Sequence, residues 1–193
     1  MVLGLWFDGQ ISVIPRPGIW ASVLSQWPYC DSQKAALVRN AMMRKHISGR
    51  VMGKKPRIRP IAICIIRQGD RLLLHEGVDK VRGLRFGRPL GGGVEFGEPS
   101  RDAAIREIGE ELGAEITDVE HLGILESIYV YEGEPGHEIV FVYSGRFVDE
   151  SLYHQPSLTI TEGQRVFEAQ WRSLDELRSG NIHLVPEALW QFL

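Results

Sequence analysis

Four glutamates besides Glu95 crowd one stretch of the chain, Gly92 to Ala114, which reads GGVEFGEPSRDAAIREIGEELGA. Glu98 follows a run of glycines, and Glu107, Glu110 and Glu111 fall within a single turn if the segment after Pro99 is helical. At 3.6 residues per turn, positions i, i+3 and i+4 share one side of a helix, so the three carboxylates project into an arc of roughly 100°. Same-sign pairs at this spacing repel by a few tenths of a kcal/mol each, which calls for a counter-charge. A divalent cation is the most direct one. A set of hard oxygen ligands suits Mg2+, with Mn2+ as an option, better than zinc or copper.

The surrounding residues fit a ligand-bearing loop followed by a helix. Gly91, Gly92, Gly93 and Gly97 let a ligand approach the main chain closely. Pro99 suits a first helical position and Gly113 the left-handed residue that closes a helix. Between them Ala104, Ile108 and Leu112, with Ile105 alongside, form an apolar stripe that would hold the helix against a sheet and turn its acids toward a cleft.

The pattern resembles the signature of the Nudix hydrolases: Gly92, Glu98, Arg106, Glu107, Ile108, Glu110, Glu111 and Gly113 all match, with Ala114 in place of a larger aliphatic residue. A merely solvated acidic helix face would have no need of the glycines, the arginine and the spacing together. The resemblance implies an α/β fold, an α/β/α sandwich with a mixed β-sheet between helices. It also implies metal-dependent hydrolysis of a pyrophosphate bond in a small nucleoside diphosphate-linked substrate. By resemblance Glu110 and Glu111 would bind metal with the Gly91 carbonyl, and Glu107 would bind metal or act as base. Glu98 and Arg106 would form an ion pair bracing the loop against the helix. Arg88, the cation nearest the glycine run, would bind substrate, as would the Gly92 backbone. In the mutator-type triphosphate hydrolases of this family a metal-binding glutamate precedes Gly-Gln on a late loop. Glu162, before Gly163 and Gln164, looks like it, which inclines the substrate toward a nucleoside triphosphate. The family's Ser-Gln-Pro motif for NADH-type substrates does not occur, nor do its coenzyme A motif and its ADP-ribose-type proline. The other class of function is a Nudix-like protein that binds a nucleotide or RNA without catalysis, but such proteins usually lose signature acids that are all present here. Many relatives are dimers, so a homodimer is an open option.

The elements that must position these residues follow from pattern. Ile58–Ile66 is a nearly continuous apolar run, read as a strand buried on both faces, and Gln68-Gly69-Asp70 turns it into a second strand at Arg71–His75. From Gly77 to Arg88 the chain is polar, carries Lys80, Arg82, Arg85 and Arg88, and reads as a loop. Leu122–Tyr131 and Glu138–Phe147 read as a second hairpin around a Glu132–Gly136 turn, with His137 and Glu138 as a solvent-facing pair. Residues 149–161 read as a long connection, and Val166–Trp171 as a last strand with Glu168 on the sheet surface. Ser173 caps a short helix at Leu174–Leu177, and a C-terminal helix begins at Pro186.

Of the 193 residues, 44% are aliphatic, aromatic or cysteine, spread through the chain, which is therefore globular. No apolar run approaches the roughly 20 residues that span a bilayer, so no membrane partner is expected. Two cysteines, Cys30 and Cys64, are too few for a disulfide framework, and a reducing cytoplasm is the expected compartment. The net charge of −3 conceals an imbalance: residues 1–59 hold 10 Lys/Arg against 2 Asp/Glu, and residues 60–193 hold 12 against 23. Aromatic residues do not interleave with the basic ones, so nucleic acid is not the expected partner. Residues 1–55, with Trp6, Trp20 and Trp27 among scattered prolines, lack sustained periodicity and lie outside the resemblance. They are read as a basic extension, poorly ordered in part, ahead of a catalytic domain at 56–193. Deleting residues 1–51 should therefore leave a soluble protein with unchanged hydrolytic activity; an insoluble or inactive truncation, assayed beside the full chain, would contradict this division.

Overall fold

Six consecutive residues, Ile61 to Ile66, are buried in the strand β1 (Arg59–Gln68), and their neighbours explain why both faces are apolar. Ala62, Cys64 and Ile66 pack in one cluster with Ala103, Ala104 and Ile108 of the helix α1 (Ser100–Leu112). Ile61, Ile63 and Ile65 pack in a second cluster on the opposite face. The computed structural model describes residues 56–193, so the expectations for residues 1–55 lie outside the described residues.

Nine strands make one branched mixed sheet around β1. On one side β1 runs parallel to β6 (Glu134–Phe147), which pairs with β5 (Ile116–Tyr131). Beside it on the other side lies the antiparallel β4 (Leu90–Gly93). At its end Arg67 and Gln68 turn into β2 (Arg71–Asp79), which pairs with β3 (Leu84–Arg88) and β8 (Arg165–Ser173). The strand β7 (Ser157–Glu162) flanks β8, and the short β9 (His183–Leu184) runs parallel to β3. One face carries α1. The other carries α2 (Leu174–Arg178) and a 3-10 segment, Glu187–Phe192, whose Leu174, Leu177 and Leu189 complete the second cluster. The arrangement is the α/β fold expected, with helical layers on both faces of a mixed sheet.

Local chemistry sets the ends of these elements. The β5–β6 hairpin turns at Glu132 and Gly133, both at positive φ, which matches the right-handed twist of the flanking strands. Ser173 and Glu176 form a reciprocal capping box at α2. Helix α1 starts at Ser100 with Pro99 as its cap, one residue later than the spacing suggests, and closes on the left-handed Gly113.

Several expectations need correction. The polar segment 77–88 is not a loop: β2 runs on to Asp79, whose carboxylate accepts from the Val81 and Arg82 amides and closes a turn into β3. Phe86 covers the opposing Gly77, so a segment of charges and glycine still pairs as an antiparallel ribbon. The stretch 149–161 is not one connection either; it holds a 3-10 turn, Glu150–His154, and then β7. The strand β5 begins at Ile116 rather than Leu122, its start disguised by register shifts around Asp118, which has positive φ. Glu138 is not solvent-facing. It lies on the same face of β6 as Val140 and Val142 and is 2% exposed.

Helix α1 depends on Ile108, which is fully buried between it and the sheet. Replacing Ile108 with Ala should cost about 2–4 kcal/mol of unfolding free energy in denaturant titration, because the cavity beneath a packed helix cannot fully collapse. A loss below about 1 kcal/mol would mean that the helix is held elsewhere.

Candidate functional site

Arg106, in the middle of α1, organises the acids around it. Its Nε donates to Glu98 Oε1 at 2.8 Å and its Nη2 to Glu98 Oε2 at 3.0 Å, a bidentate pair. The same Nη2 donates to the Gly93 carbonyl at 2.9 Å, and Nη1 donates to Glu107 Oε1 and Glu110 Oε2, both at 3.0 Å. Glu98 also accepts from the Glu95 amide, and these bonds, that from Arg106 foremost, hold its carboxyl below the usual carboxylate range. One guanidinium thus ties the glycine loop to the helix and faces three of the four acids. The counter-charge demanded by the crowded carboxylates is therefore, for those three, supplied within the chain.

Glu111 is left out of that arrangement. It is half-buried, its Oε2 accepts from the Gly91 amide at 3.1 Å, and removal from water pushes its carboxyl up to about 7. The Gly91 hydrogen bond opposes that shift, the charges of Glu107 and Glu162 add to it, and Arg88 opposes it. Glu162, at the end of β7 and 51 positions along the chain from Glu111, is thus brought within electrostatic reach of the helix. Two glycines make room. Gly91 has φ 133°, and a side chain there would meet the Ala62 carbonyl at 2.2 Å. A Cβ on Gly92 would lie 2.5 Å from the Glu107 carboxylate, so the loop carries no side chain where that carboxylate sits.

Arg88, at the end of β3, lies within electrostatic reach of these acids. Its charge reaches Glu111, Tyr129 and His75, and its Nη2 lies 3.6 Å from Glu138 Oε2. The His75 imidazole is held below its usual range by burial, with Arg88 reinforcing that and Glu162 and Glu76 opposing it. The other cations of the segment face elsewhere: Arg85 pairs with Glu76, and Arg82 reaches the Val130 carbonyl at 3.5 Å. Glu168 is exposed and accepts from the Gln170 side chain, as its place on the sheet surface suggests.

Sequence reasoning passed over His75 and Tyr129 and misread Glu138. For Glu138 a signal existed: the period of two along β6 puts it on the face of buried Val140 and Val142. Nothing local marks His75 or Tyr129, whose surroundings are assembled from several strands.

Among the described residues, no three His, Cys, Asp or Glu side chains converge as a ready metal cage. The donor chemistry nevertheless fits a hard divalent cation: the charges of Glu107 and Glu162 act on the Glu111 carboxylate, all three offer hard oxygen ligands, and the loop is cleared of a side chain at Gly92.

Several known proteins are similar to this chain. The sequence profile of the NUDIX domain matches residues 56–192. The NAD-capped RNA hydrolase NudC of Pseudomonas aeruginosa is 26% identical over 160 residues, 83% of this chain and 51% of that protein, an alignment that reaches upstream of Pro56. A NudC of Pseudomonas putida is 34% identical over 122 residues, 63% of this chain and 39% of its own length. The chain thus spans about half the length, or less, of these curated relatives. Among solved structures, a MutT NUDIX hydrolase from Burkholderia pseudomallei is 26% identical, with 62% of this chain and 85% of that one covered and a TM-score of 0.47.

The raised Glu111 carboxyl has a consequence for stability without metal. A folded-state value near 7 against an ordinary 4.5 means that the folded protein holds the proton more tightly than the unfolded chain. The resulting stabilisation is complete below about pH 4.5 and is lost as pH rises through 7. In EDTA, wild type should therefore lose up to roughly 3 kcal/mol relative to Glu111→Gln between pH 5 and pH 8. Denaturant unfolding at the two pH values measures this, and parallel losses in both proteins would contradict the assigned burial.

Proposed function

The chain belongs to the Nudix family, and from that premise we propose that it is a metal-dependent pyrophosphohydrolase acting on a nucleoside diphosphate-linked substrate at the cleft between α1, β4 and β7. The observation that carries the proposal is the placing of Glu111 under the glycine loop, where its Oε2 accepts from the Gly91 amide at 3.1 Å and its carboxyl feels the charges of Glu107, from the same helix, of Glu162, from a distant strand, and of Arg88. A stretch of acids serving only solubility would not draw one carboxylate partly out of water within electrostatic reach of a remote one, at the expense of raising its affinity for protons.

In this reading Glu111, Glu110, Glu107 and Glu162, with the Gly91 carbonyl, would hold Mg2+ or Mn2+. A bound divalent ion neutralises phosphate charge and lowers the pKa of an attacking water. The residues of the chain do the rest. Arg106 and Glu98 keep the loop and the helix in register, and the bare Gly92 backbone admits the phosphates. Arg88 binds a phosphate oxygen. Glu107, with one oxygen tied to Arg106, is placed either as a metal ligand or as proton acceptor for the attacking water.

Two substrate classes have support. Glu162 followed by Gly163 and Gln164 resembles the arrangement of triphosphate hydrolases and favours a nucleoside triphosphate. The NudC relatives are NAD-capped RNA hydrolases, which favours a capped RNA end instead, and the basic balance of residues 1–59 suits an RNA chain. Nucleic acid, not expected from the sequence, therefore joins the candidates, although the Ser-Gln-Pro motif is absent.

The test is release of phosphate, pyrophosphate or nucleoside monophosphate from nucleoside triphosphates, NADH, ADP-ribose and NAD-capped RNA, with and without Mg2+. At least one should be hydrolysed only with the metal. Glu111→Gln should fold normally and lower that turnover by several orders of magnitude. Near-normal turnover in the variant would refute the role of Glu111, and no hydrolysis of any substrate by wild type would favour a nucleotide- or RNA-binding protein without catalysis.

A further inference from the structure

Glu138 is a buried carboxylate to which the hydrolytic reading gives no task. It is 2% exposed at the start of the buried part of β6, where an ion costs several kcal/mol unless its charge and lone pairs are met. They are met by three groups from three other strands. Tyr129 of β5 donates its hydroxyl to Oε1 at 3.0 Å, Arg59 of β1 brings Nη1 to 3.6 Å from Oε1, and Arg88 of β3 brings Nη2 to 3.6 Å from Oε2. At 3.6 Å the two arginines are held by charge and not by a formed hydrogen bond. The Arg88 Nε is buried without a hydrogen-bond partner, so this guanidinium is fixed in place while its donors are incompletely used.

Arg88 accordingly has two sides. On one side its Nη2 lies 3.6 Å from Glu138, which Tyr129 bonds; on the other its charge acts on Glu111 and His75. A guanidinium oriented from behind by a carboxylate that is itself locked by a tyrosine loses little freedom when a further anion arrives in front. We propose that Glu138, fixed by Tyr129, is a positioning residue that holds Arg88 toward the cleft so that its remaining donors grip the diphosphate group of the substrate. The inference rests on the reading of Arg88 as a phosphate contact and adds the residues that make it one.

The two roles open to Glu138, positioning Arg88 or stabilising the sheet, differ in coupling. If Glu138 acts through Arg88, then once Arg88 is removed the loss of Glu138 has nothing left to disturb. If it only stabilises the sheet, its loss acts independently. The probe is methylenediphosphonate, a pyrophosphate analogue that cannot be hydrolysed, titrated calorimetrically into the full chain in Mg2+. Arg88→Ala and Glu138→Gln should each weaken binding by about tenfold or more, and the double variant should bind within about twofold of Arg88→Ala. Tyr129→Phe should weaken binding in the same direction, by less, and have no effect in the Arg88→Ala background. It carries the test if Glu138→Gln does not fold.

Wild-type affinity in Glu138→Gln, or losses that multiply in the double variant, would overturn the proposal, as would wild type that does not bind the probe at all. Coupled losses in a protein that hydrolyses none of the nucleotides would sustain this inference and overturn the hydrolytic reading. The two can therefore fail separately.

Discussion

The structure of the cleft depends on one guanidinium. Arg106 bonds Glu98 with two parallel hydrogen bonds, reaches Glu107 and Glu110 with a third nitrogen, and closes on the Gly93 carbonyl. Without it, the glycine loop would lose its ion pair to α1, and Glu107 and Glu110 would lose the cation that offsets their crowding on that helix. Such a network is strong because it is bidentate and partly shielded from water, in contrast to the isolated surface pairs elsewhere on the chain, such as Arg146 with Asp118 at 3.9 Å.

What Arg106 leaves uncompensated is as informative as what it binds. Glu111 turns inward beneath the loop, where burial and the nearby charges of Glu107 and Glu162 favour its protonated form. The fold sustains this local cost through the packing below it: Ala103, Ala104 and Ile108 seat α1 on Ala62, Cys64 and Ile66 of β1. The same strand presents its other face to the second cluster, so the position of the acids is set by a strand that cannot shift without disturbing both layers. Cys64 illustrates how dry that floor is, since burial pushes its thiol up to about 12.

The loop, the helix and the two hairpins were legible because their signals are local. Glycines, a proline ahead of the helix, Gly113 behind it and the apolar run Ile61–Ile66 each constrain the backbone through their own chemistry. The strand β7 was missed although Leu158 and Ile160 alternate with Thr159 and Thr161, because the polar residues before it read as a connection. The hairpin β2–β3 was missed for a different reason: its polarity reflects an exposed ribbon, while its pairing depends on an aspartate-closed turn and an aromatic ring over a glycine. In the cleft, the cluster on α1 follows from helical periodicity. The neighbourhood of Glu162, His75, Tyr129 and Glu138 does not, because it is assembled from β2, β5, β6 and β7. Glu162 entered the reading only through its family resemblance.

The central claim is that these acids are placed to hold a divalent cation over a bound pyrophosphate, and Mn2+ binding measured by electron paramagnetic resonance tests it most directly. Titrated with Mn2+ near neutral pH, wild type should deplete the signal of the free ion, and Glu111→Gln and Glu162→Gln should each bind it markedly more weakly. If wild type leaves the free-ion signal intact, or if all three proteins bind Mn2+ alike, the acids are serving the fold through Arg106 alone and the proposed chemistry does not take place at this site.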